Sequence, residues 1–424
     1  MKLTKLGALA AIAVLAFAAC SSTGSSSAPA ASSGGGGGGA KGTVTIAIDL
    51  PQQGSELAAS KPIINGIRLA VKQAGGSAGG YTVEIPDSAV YDDAINGAHD
   101  PQTGANNMTK IIGDPATIAV IGPLNSSVAK AEIPISNEGG LLQCSPANTN
   151  PDLTQGDPAK QLRTKANNYI RVVTTDNVQG PAAAQYIYDV LKKTSVYVID
   201  DTETFGKGVA DAFEAEFVKR GGTVVKHDGA PKTTQDYVSI MTAAKALNPQ
   251  SIYFGGVTAT GGARILLAAQ QVGLGDVPFV GPDGINDGSG ETKDSFLNLA
   301  AAAAKNAFST LAGIGDFPGR AKFEADYKAE YGIIAGYAGT GFACAQVVLD
   351  ALNRAGGTNP ADMAGLREAV RVAGTDTAAK YTTIVGDITF DANGDTSQKI
   401  VSIYSFDATK KDWKFETQVD YAAK

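Results

Sequence analysis

The residues with the clearest chemical potential lie in short loops rich in Gly, Ser, Asn and Thr. Four such loops each follow an apolar run that is typical of a strand: IGPLNSS (121–127), SPANTNP (145–151), YFGGVTAT (253–260) and VGPDG (280–284). Small side chains let backbone N–H groups approach a ligand, and the hydroxyls add further donors. Each loop alone is also typical of a plain turn, so the prediction of a binding site depends on their convergence.

The composition gives little support for catalysis or metal binding. The 424 residues include only two histidines and three cysteines, which leaves little material for a zinc site or a Cys/His pair. The sequence contains no G-x-S-x-G elbow, no Walker loop and no dinucleotide fingerprint at the required spacing. The net charge of −7 argues against nucleic acid, because phosphate binding needs a basic surface. We therefore expect no enzymatic activity, no cofactor and no metal.

Three further polar features favour a structural interpretation. Residues 391–395 (DANGD) have an acidic spacing that suggests calcium, but the closing Glu of a twelve-residue loop is missing, and a hairpin turn is favoured. His99 and His227 lie far apart without a second ligand at metal spacing, so we predict surface positions. Cys144 and Cys344 could form a disulfide in an exported protein, yet their apolar surroundings equally fit two buried thiols. We expect no bond between them.

The elements that must position the loops alternate between strands and helices. Patterns of β-branched and apolar residues predict strands at 43–50, 81–85, 118–122, 140–145, 195–200, 224–227, 251–255 and 278–281. Helical spacing predicts helices at 62–76, 106–112, 128–138, 181–191, 208–220, 238–247 and 262–272. Repeated β–α units indicate an α/β fold whose parallel sheets carry helices on both faces. Ligands bind beyond the C-terminal ends of such strands.

The N-terminus has the pattern of an export signal. Residues 1–19 combine a basic start with an apolar run of about 14 residues, which is too short to span a bilayer. The residues around Cys20 resemble a bacterial lipobox, in which the cysteine becomes lipidated. Residues 20–42 continue as a Ser/Gly-rich linker that cannot bury a core. We expect a protein lipid-anchored to the outer face of the bacterial cytoplasmic membrane, in the cell envelope.

The order of segments resembles the type 1 periplasmic binding proteins of the branched-chain amino acid (Leu/Ile/Val-binding-like) ABC transporter family. The resemblance extends from about residue 43 to 405, and the combination of SPANTNP, TFGKG and GPDG in this order is its most specific part. The other matching stretches are INGIRLAVKQAGG, YDDA, NNMTKIIGDPATIAVIGPLNSS, QGPAAAQYI, YFGGVTATGGARILLAAQQVGL and GYAGTGFACAQVVLDAL.

The resemblance implies two doubly wound parallel-sheet lobes, joined by three crossovers, that close on a ligand in an interlobe cleft by hinge motion. Lobe 1 is expected to comprise residues 43–175 and 307–380. Lobe 2 is expected to comprise residues 176–306 and 381–424.

The resemblance also implies a set of ligand contacts. Ser126, with Asn125 beside it, falls at the hydroxyl that bonds the ligand carboxylate. Thr149 falls at a second group that bonds this carboxylate, and the backbone of Ala147 and Asn148 frames the ammonium side. In the last matching motif, the acidic residue Asp283 is expected to pair with the ligand ammonium. Ser126 and Asp283 also fit plain structural positions, as a helix cap and a turn residue respectively.

The sequence departs from the family pattern at two aromatic positions. Phe205 replaces a tyrosine, and Val257 replaces a second aromatic residue. Both changes make the expected cleft more apolar, which favours an aliphatic or aromatic ligand side chain. Phe205 is also typical of a core position.

Two functions follow from this set of predictions. The first is a monomeric solute-binding lipoprotein that captures an amino acid with an apolar side chain and delivers it to an ABC permease. The second is a sensory lipoprotein on the same fold, coupled to a membrane signalling partner. A small carboxylate or amide that lacks the ammonium group is the alternative ligand.

Overall fold

The computed structural model describes residues 41–313 and 315–421. The export signal, Cys20 and most of the Ser/Gly linker therefore lie outside the described residues, and their predicted roles stay predictions. Within the described part of the chain, we find no helix that combines the length and the apolar character needed to cross a membrane.

The first part of the chain builds one sheet with helices on both sides. Its elements are β1 (Thr43–Asp49), α1 (Glu56–Gln73), β2 (Ser77–Ala78), β3 (Tyr81–Glu84), β4 (Val90–Tyr91), β5 (Ala94–Ile95), β6 (Ala98–His99), α2 (Pro101–Gly113), β7 (Thr117–Ile121), α3 (Ser126–Glu138), β8 (Leu142–Ser145), α4 (Gly156–Leu162) and β9 (Tyr169–Arg171). The strands are ordered β2-β3-β1-β7-β8-β9, with β4 beside β1, and β1, β3, β7, β8 and β9 are parallel.

The next part of the chain builds a second sheet. Its elements are α5 (Asp176–Gln185), β10 (Ser195–Asp200), α6 (Thr204–Lys219), β11 (Thr223–Gly229), α7 (Tyr237–Ala246), β12 (Ser251–Gly255), α8 (Gly262–Gln271), β13 (Phe279–Gly281), α9 (Phe296–Ala300) and β14 (Ala307–Leu311). A short π-helical segment, 186–190, extends α5. The predicted strands 195–200 and 251–255 are confirmed at both ends, and the predicted β–α alternation holds throughout.

The remaining chain returns to the first sheet and then to the second. Its elements are α10 (Arg320–Tyr331), α11 (Ala338–Gly356), α12 (Met363–Gly374), β15 (Tyr381–Thr383), β16 (Gly386–Ile388), β17 (Ile400–Asp407) and β18 (Asp412–Asp420). The order of the second sheet is β11-β10-β12-β13-β14-β17-β18, and β17 and β18 are antiparallel to their neighbours. The chain thus passes between the two lobes three times, as the fold prediction required.

Helices α1 and α11 form the closest helix pair of the first lobe. A Cβ atom at Gly66 would collide with the carbonyl oxygen of Ala338, and one at Gly341 would collide with the backbone of Ile63. Glycine at both positions lets the two backbones approach closely, and the apolar faces of both helices join the buried core of this lobe.

The ends of the predicted lobes differ from the observed sheet pairing at two places. Strand β14 (307–311) was assigned to lobe 1, but it pairs with β13 and continues the second sheet. The β15–β16 hairpin was assigned to lobe 2, but it packs Tyr381 and Ile388 into the first core. Strand pairing decides the position of β14, and side-chain packing decides that of the β15–β16 hairpin.

The prediction of two separate thiols is wrong. Cys144 lies on β8 and Cys344 on α11, and the packing of this helix on the sheet brings their Cα atoms to 5.9 Å. That separation lies within the range of disulfides, and the two residues are bonded. Their apolar surroundings are the interior of the first lobe, where both residues are fully buried.

The DANGD segment forms the predicted turn. The Gly394 N–H donates to the carbonyl oxygen of Asp391, and Phe390 and Thr396 form an antiparallel bridge. Asp395 accepts a hydrogen bond from the Arg171 Nε at 2.7 Å inside the protein. Asp395 is therefore one partner of a buried ion pair with Arg171.

Candidate functional site

A cleft lies where the C-terminal ends of strands from both sheets meet, and its empty volume, including space open to solvent, is about 560 Å³. Its lining comes from the loops after β1, β7 and β8 in the first sheet, from the loops after β10, β12 and β13 in the second, and from the residues before α11. This position matches the rule that open parallel sheets bind ligands outside the carboxyl ends of their strands. The lining residues are Ser55, Glu56, Ala59, Leu124, Asn125, Ser126, Ala147, Phe205, Val257, Thr258, Ala259, Asp283, Gly284, Asn286, Asp287, Gly336 and Tyr337.

The structure brings six of the eight predicted ligand residues together around this cleft: Asn125, Ser126, Ala147, Phe205, Val257 and Asp283. The other two, Asn148 and Thr149, are buried but do not belong to its lining. The Asn148 side chain donates to the Leu124 carbonyl and accepts from the Tyr169 hydroxyl, so it holds two loops of the first lobe together.

The first wall of the cleft is built around the N-terminus of α3. Helix α3 begins at Ser126, and Asn125 precedes it in extended conformation. The Asn125 side chain donates to Glu56 Oε1 at 2.9 Å, which fixes the loop against α1. Among the described residues, the Ser126 hydroxyl has no protein hydrogen-bond partner. This wall therefore offers a hydroxyl and helix N-terminal N–H groups, which favour negative charge.

The second wall centres on the carboxylate of Asp283, which follows β13 and is half-buried. Gln179 donates to its Oδ1 at 2.5 Å, and Gln179 is in turn held by the hydroxyl of Thr310 at 3.3 Å. The Tyr337 hydroxyl lies beside the same carboxylate. Burial raises the pKa of Asp283 to about 6, although the hydrogen bond from Gln179 and the nearby Tyr337 hydroxyl oppose this rise.

Apolar side chains of the second lobe complete this wall. Phe205 lies at the start of α6 and is almost fully buried, and Val257 follows β12. A Cβ atom at Gly206 would collide with Asp201 and with the Gly255 backbone, so glycine is needed for the close packing of this loop. This close packing explains the first glycine of the TFGKG motif.

Several functional positions were missed by the sequence analysis. Glu56 and Asp287 are carboxylates of the lining, each 4% exposed, and Thr258 and Tyr337 add two hydroxyls. Asp287 accepts a hydrogen bond from the Phe296 N–H at 2.8 Å, and burial raises its pKa to about 7. Of these four residues, only Tyr337 could have been identified from the sequence, because it lies within the GYAGTGF stretch that resembles the family.

A polar contact joins the two lobes beside the cleft. His99 was predicted to be a surface residue, but it is 3% exposed and its Nδ1 lies 2.7 Å from Glu56 Oε1. Its Nε2 lies 4.0 Å from Glu203 of the second lobe, and Lys232 pairs with that glutamate at 3.3 Å. Burial alone lowers the pKa of His99, but the two carboxylates outweigh it and raise this pKa above its ordinary value.

The second histidine also differs from its predicted place. His227 lies on β11 and is half-buried, with its Nε2 at 2.8 Å from Asp200 and its Nδ1 at 2.6 Å from Glu214. The hydrogen bond to Asp200 raises the pKa of His227. This residue is therefore part of a local ion-pair network of the second lobe, away from the cleft lining.

Comparison with known proteins shows to which family this architecture belongs. The family described as "Periplasmic binding protein" matches residues 43–411. The Leu/Ile/Val-binding protein BraC3 of Rhizobium johnstonii is 28% identical over 376 residues, which cover 88% of this chain and 94% of the relative. A leucine-, isoleucine-, valine-, threonine- and alanine-binding protein of Pseudomonas aeruginosa is 26% identical, with coverage of 88% and 93%.

A solved structure gives the same result for the fold. The crystal structure of the leucine-binding protein LivK from Thermotoga maritima superimposes with a TM-score of 0.76 at 26% sequence identity. The match covers 90% of this chain and all of the other. The family match, the relatives and the two-lobed fold agree. This chain belongs to the periplasmic binding protein family, and within it to the type 1 proteins of the branched-chain amino acid group.

Proposed function

We propose that this protein is a lipid-anchored, extracytoplasmic solute-binding protein of an ABC importer and that its ligand is an amino acid with an apolar side chain. Membership of the family supports a solute-binding role, and the relatives that bind leucine, isoleucine and valine suggest an amino acid as the ligand. The observation that carries the proposal is the half-buried Asp283 carboxylate, in a cleft whose opposite wall offers the free hydroxyl of Ser126.

The two walls suit the two ends of a zwitterion. The ligand ammonium pairs with Asp283, whose other contacts with Gln179 and Tyr337 keep the carboxylate in place. The ligand carboxylate accepts hydrogen bonds from Ser126 and the first turn of α3. The apolar side chain lies against Phe205 and Val257. The protein performs no chemical step in this function.

The charges of the lining disfavour a ligand that is only negatively charged. Glu56, Asp283 and Asp287 line the cleft, whereas no lysine or arginine belongs to its described lining. A simple carboxylate would be buried near three acidic groups without a countercharge, which costs several kcal/mol. An ammonium group on the same molecule removes this penalty, because it pairs with Asp283.

A ligand panel tests this proposal on the mature protein by thermal shift. L-Leucine and L-isoleucine are compared with 4-methylpentanoate, which lacks the ammonium, and with leucinamide, which lacks the carboxylate. We expect leucine or isoleucine to raise the melting temperature, because a ligand at 100 times its Kd stabilises by about 2.7 kcal/mol. Both truncated analogues should act weakly. An equal shift with 4-methylpentanoate would contradict a zwitterion site.

The lipid anchor and the transport role need a test in cells. A Cys20→Ser variant is expected to leave the membrane fraction and appear in the soluble extracytoplasmic fraction. Uptake of radiolabelled leucine should fall in that strain if the anchored protein serves a permease. Retention of the variant in the membrane fraction would contradict lipid attachment at Cys20.

A further inference from the structure

Three carboxylates converge inside the first lobe, at a place that is not part of the cleft lining. Asp49 ends β1, Asp93 lies between β4 and β5, and Glu132 lies in the middle of α3. One oxygen from each residue lies within 4.8 Å of the corresponding oxygens of the other two. All three side chains are fully buried, with 0% of each residue exposed.

Four oxygens of the cluster lack hydrogen-bond donors, and the Asp49 and Glu132 carboxyl groups lie within reach of each other. Both oxygens of Asp93, Oδ2 of Asp49 and Oε1 of Glu132 have no partner among the described residues. The remaining oxygens are held by amides: Asn107 donates to Asp49 Oδ1 at 3.1 Å, and Gln143 donates to Glu132 Oε2 at 2.7 Å. Two carboxylates are thus oriented by neighbours, while their other oxygens and the whole Asp93 carboxylate are left without donors.

The electrostatic surroundings do not compensate this charge. Within the described chain no lysine, arginine or histidine forms an ion pair with any of the three carboxylates, and Glu56, Asp92 and Asp100 add negative potential at Asp93. Burial raises the pKa of all three carboxyls, that of Asp49 to about 7. Three buried, unpaired acids must be neutralised by protons or by a cation, because uncompensated charge in the interior is costly.

The geometry points to a cation. We propose that Asp49, Asp93 and Glu132 form a calcium-binding site in the first lobe. Calcium takes oxygen ligands at about 2.3–2.6 Å, so two ligand oxygens of one ion lie at most about 4.6–5.2 Å apart, and the three oxygens here lie within 4.8 Å of one another. One ion can contact an oxygen of each of the three carboxylates at once. The site contains no sulfur or nitrogen ligand, and its burial leaves little room for the waters that magnesium retains.

The site connects elements that position the ligand cleft. Helix α3 carries Glu132 on its second turn and Ser126 at its start, and the loop after β1 leads from Asp49 to Glu56. A bound calcium ion therefore fixes α3 against the end of β1. The proposal does not depend on which ligand occupies the cleft.

Metal content and melting temperature test the site on the whole mature protein. Protein purified without chelators is analysed by mass spectrometry for metals, and EDTA-treated, desalted protein is then melted with and without millimolar calcium chloride. We expect one calcium ion per chain and a melting temperature that falls with EDTA and rises by several degrees with calcium. Magnesium alone should produce a clearly smaller rise.

Variants separate the site from general effects of salt. Glu132→Gln and Asp93→Asn should abolish the calcium-dependent rise. Glu138→Gln, on the same helix but exposed and paired with Lys165, should keep it. Terbium luminescence gives a readout that does not depend on stability: calcium should displace terbium from the wild type, and Glu132→Gln should not bind it.

Two results would overturn the proposal. The first is protein without bound metal whose melting temperature is unchanged by calcium and EDTA but increases from about pH 8 to about pH 5, which would assign protons to the cluster. The second is an equal calcium response in the wild type and Glu132→Gln, which would place calcium elsewhere.

Discussion

The two walls of the cleft are built from the same kind of loop, yet they carry opposite chemistry. The first lobe presents neutral donors, namely the Ser126 hydroxyl and the N-terminus of α3, whereas the second lobe presents the Asp283 carboxylate and apolar side chains. A small molecule that satisfies both walls has an acceptor at one end and a cation at the other. The difference between the lobes thus sets the orientation of the ligand, and removal of either wall's group should have a distinct result.

The largest effect is expected from removal of the negative charge in the second wall. Asp283→Asn keeps the shape but leaves a buried ammonium without its partner, which costs about 3–5 kcal/mol. Affinity for leucine or isoleucine should fall at least a hundredfold in isothermal titration calorimetry. Asp276→Asn is the matched control, because Asp276 lies in the same lobe with a side chain that is 92% exposed. Unchanged affinity in Asp283→Asn would contradict the pairing of the ligand ammonium with Asp283.

The first lobe also differs from the second in being covalently cross-linked. The bond between Cys144 and Cys344 closes a loop of 200 residues, so its removal by a double Cys→Ala change should lower the free energy of unfolding by about 2–4 kcal/mol. Chemical denaturation of both proteins measures this difference, and reductant should mimic it in the wild type only. A double variant as stable as the wild type would mean that the cross-link does not stabilise the first lobe.

A smaller effect is expected from the first wall itself. Ser126→Ala removes one neutral donor to the ligand carboxylate but leaves the N–H groups of α3 in place, so the loss should be about 1–1.5 kcal/mol, or roughly tenfold in affinity. Ser127→Ala is the control, since Ser127 follows in the same helical turn but is absent from the lining. The analogue that lacks a carboxylate should bind both variants equally. Greater loss in Ser127→Ala would contradict the role given to Ser126.

The sequence predicted the fold and the position of the loops better than it predicted the partners of single residues. Strand and helix periodicity placed Ser126 and Asp283 at strand ends, because local patterns determine such positions. Glu56 was missed, since its role depends on a helix start that meets the β7 loop only in the folded protein. The bond between Cys144 and Cys344 was missed for the same reason, because α11 packs on β8 from 200 residues away.

The smallest effect concerns the contact between the lobes. His99 lies among Glu56, Glu203, Lys232 and Asp100, and its pKa is raised in the folded protein by the glutamates despite burial. Its contribution to stability is therefore fully present below its ordinary pKa and is lost as pH rises through the raised value. The difference in melting temperature between the wild type and His99→Gln should shrink from about pH 6 to about pH 9. A difference that grows over this range would show that His99 is neutral when the lobes are in contact.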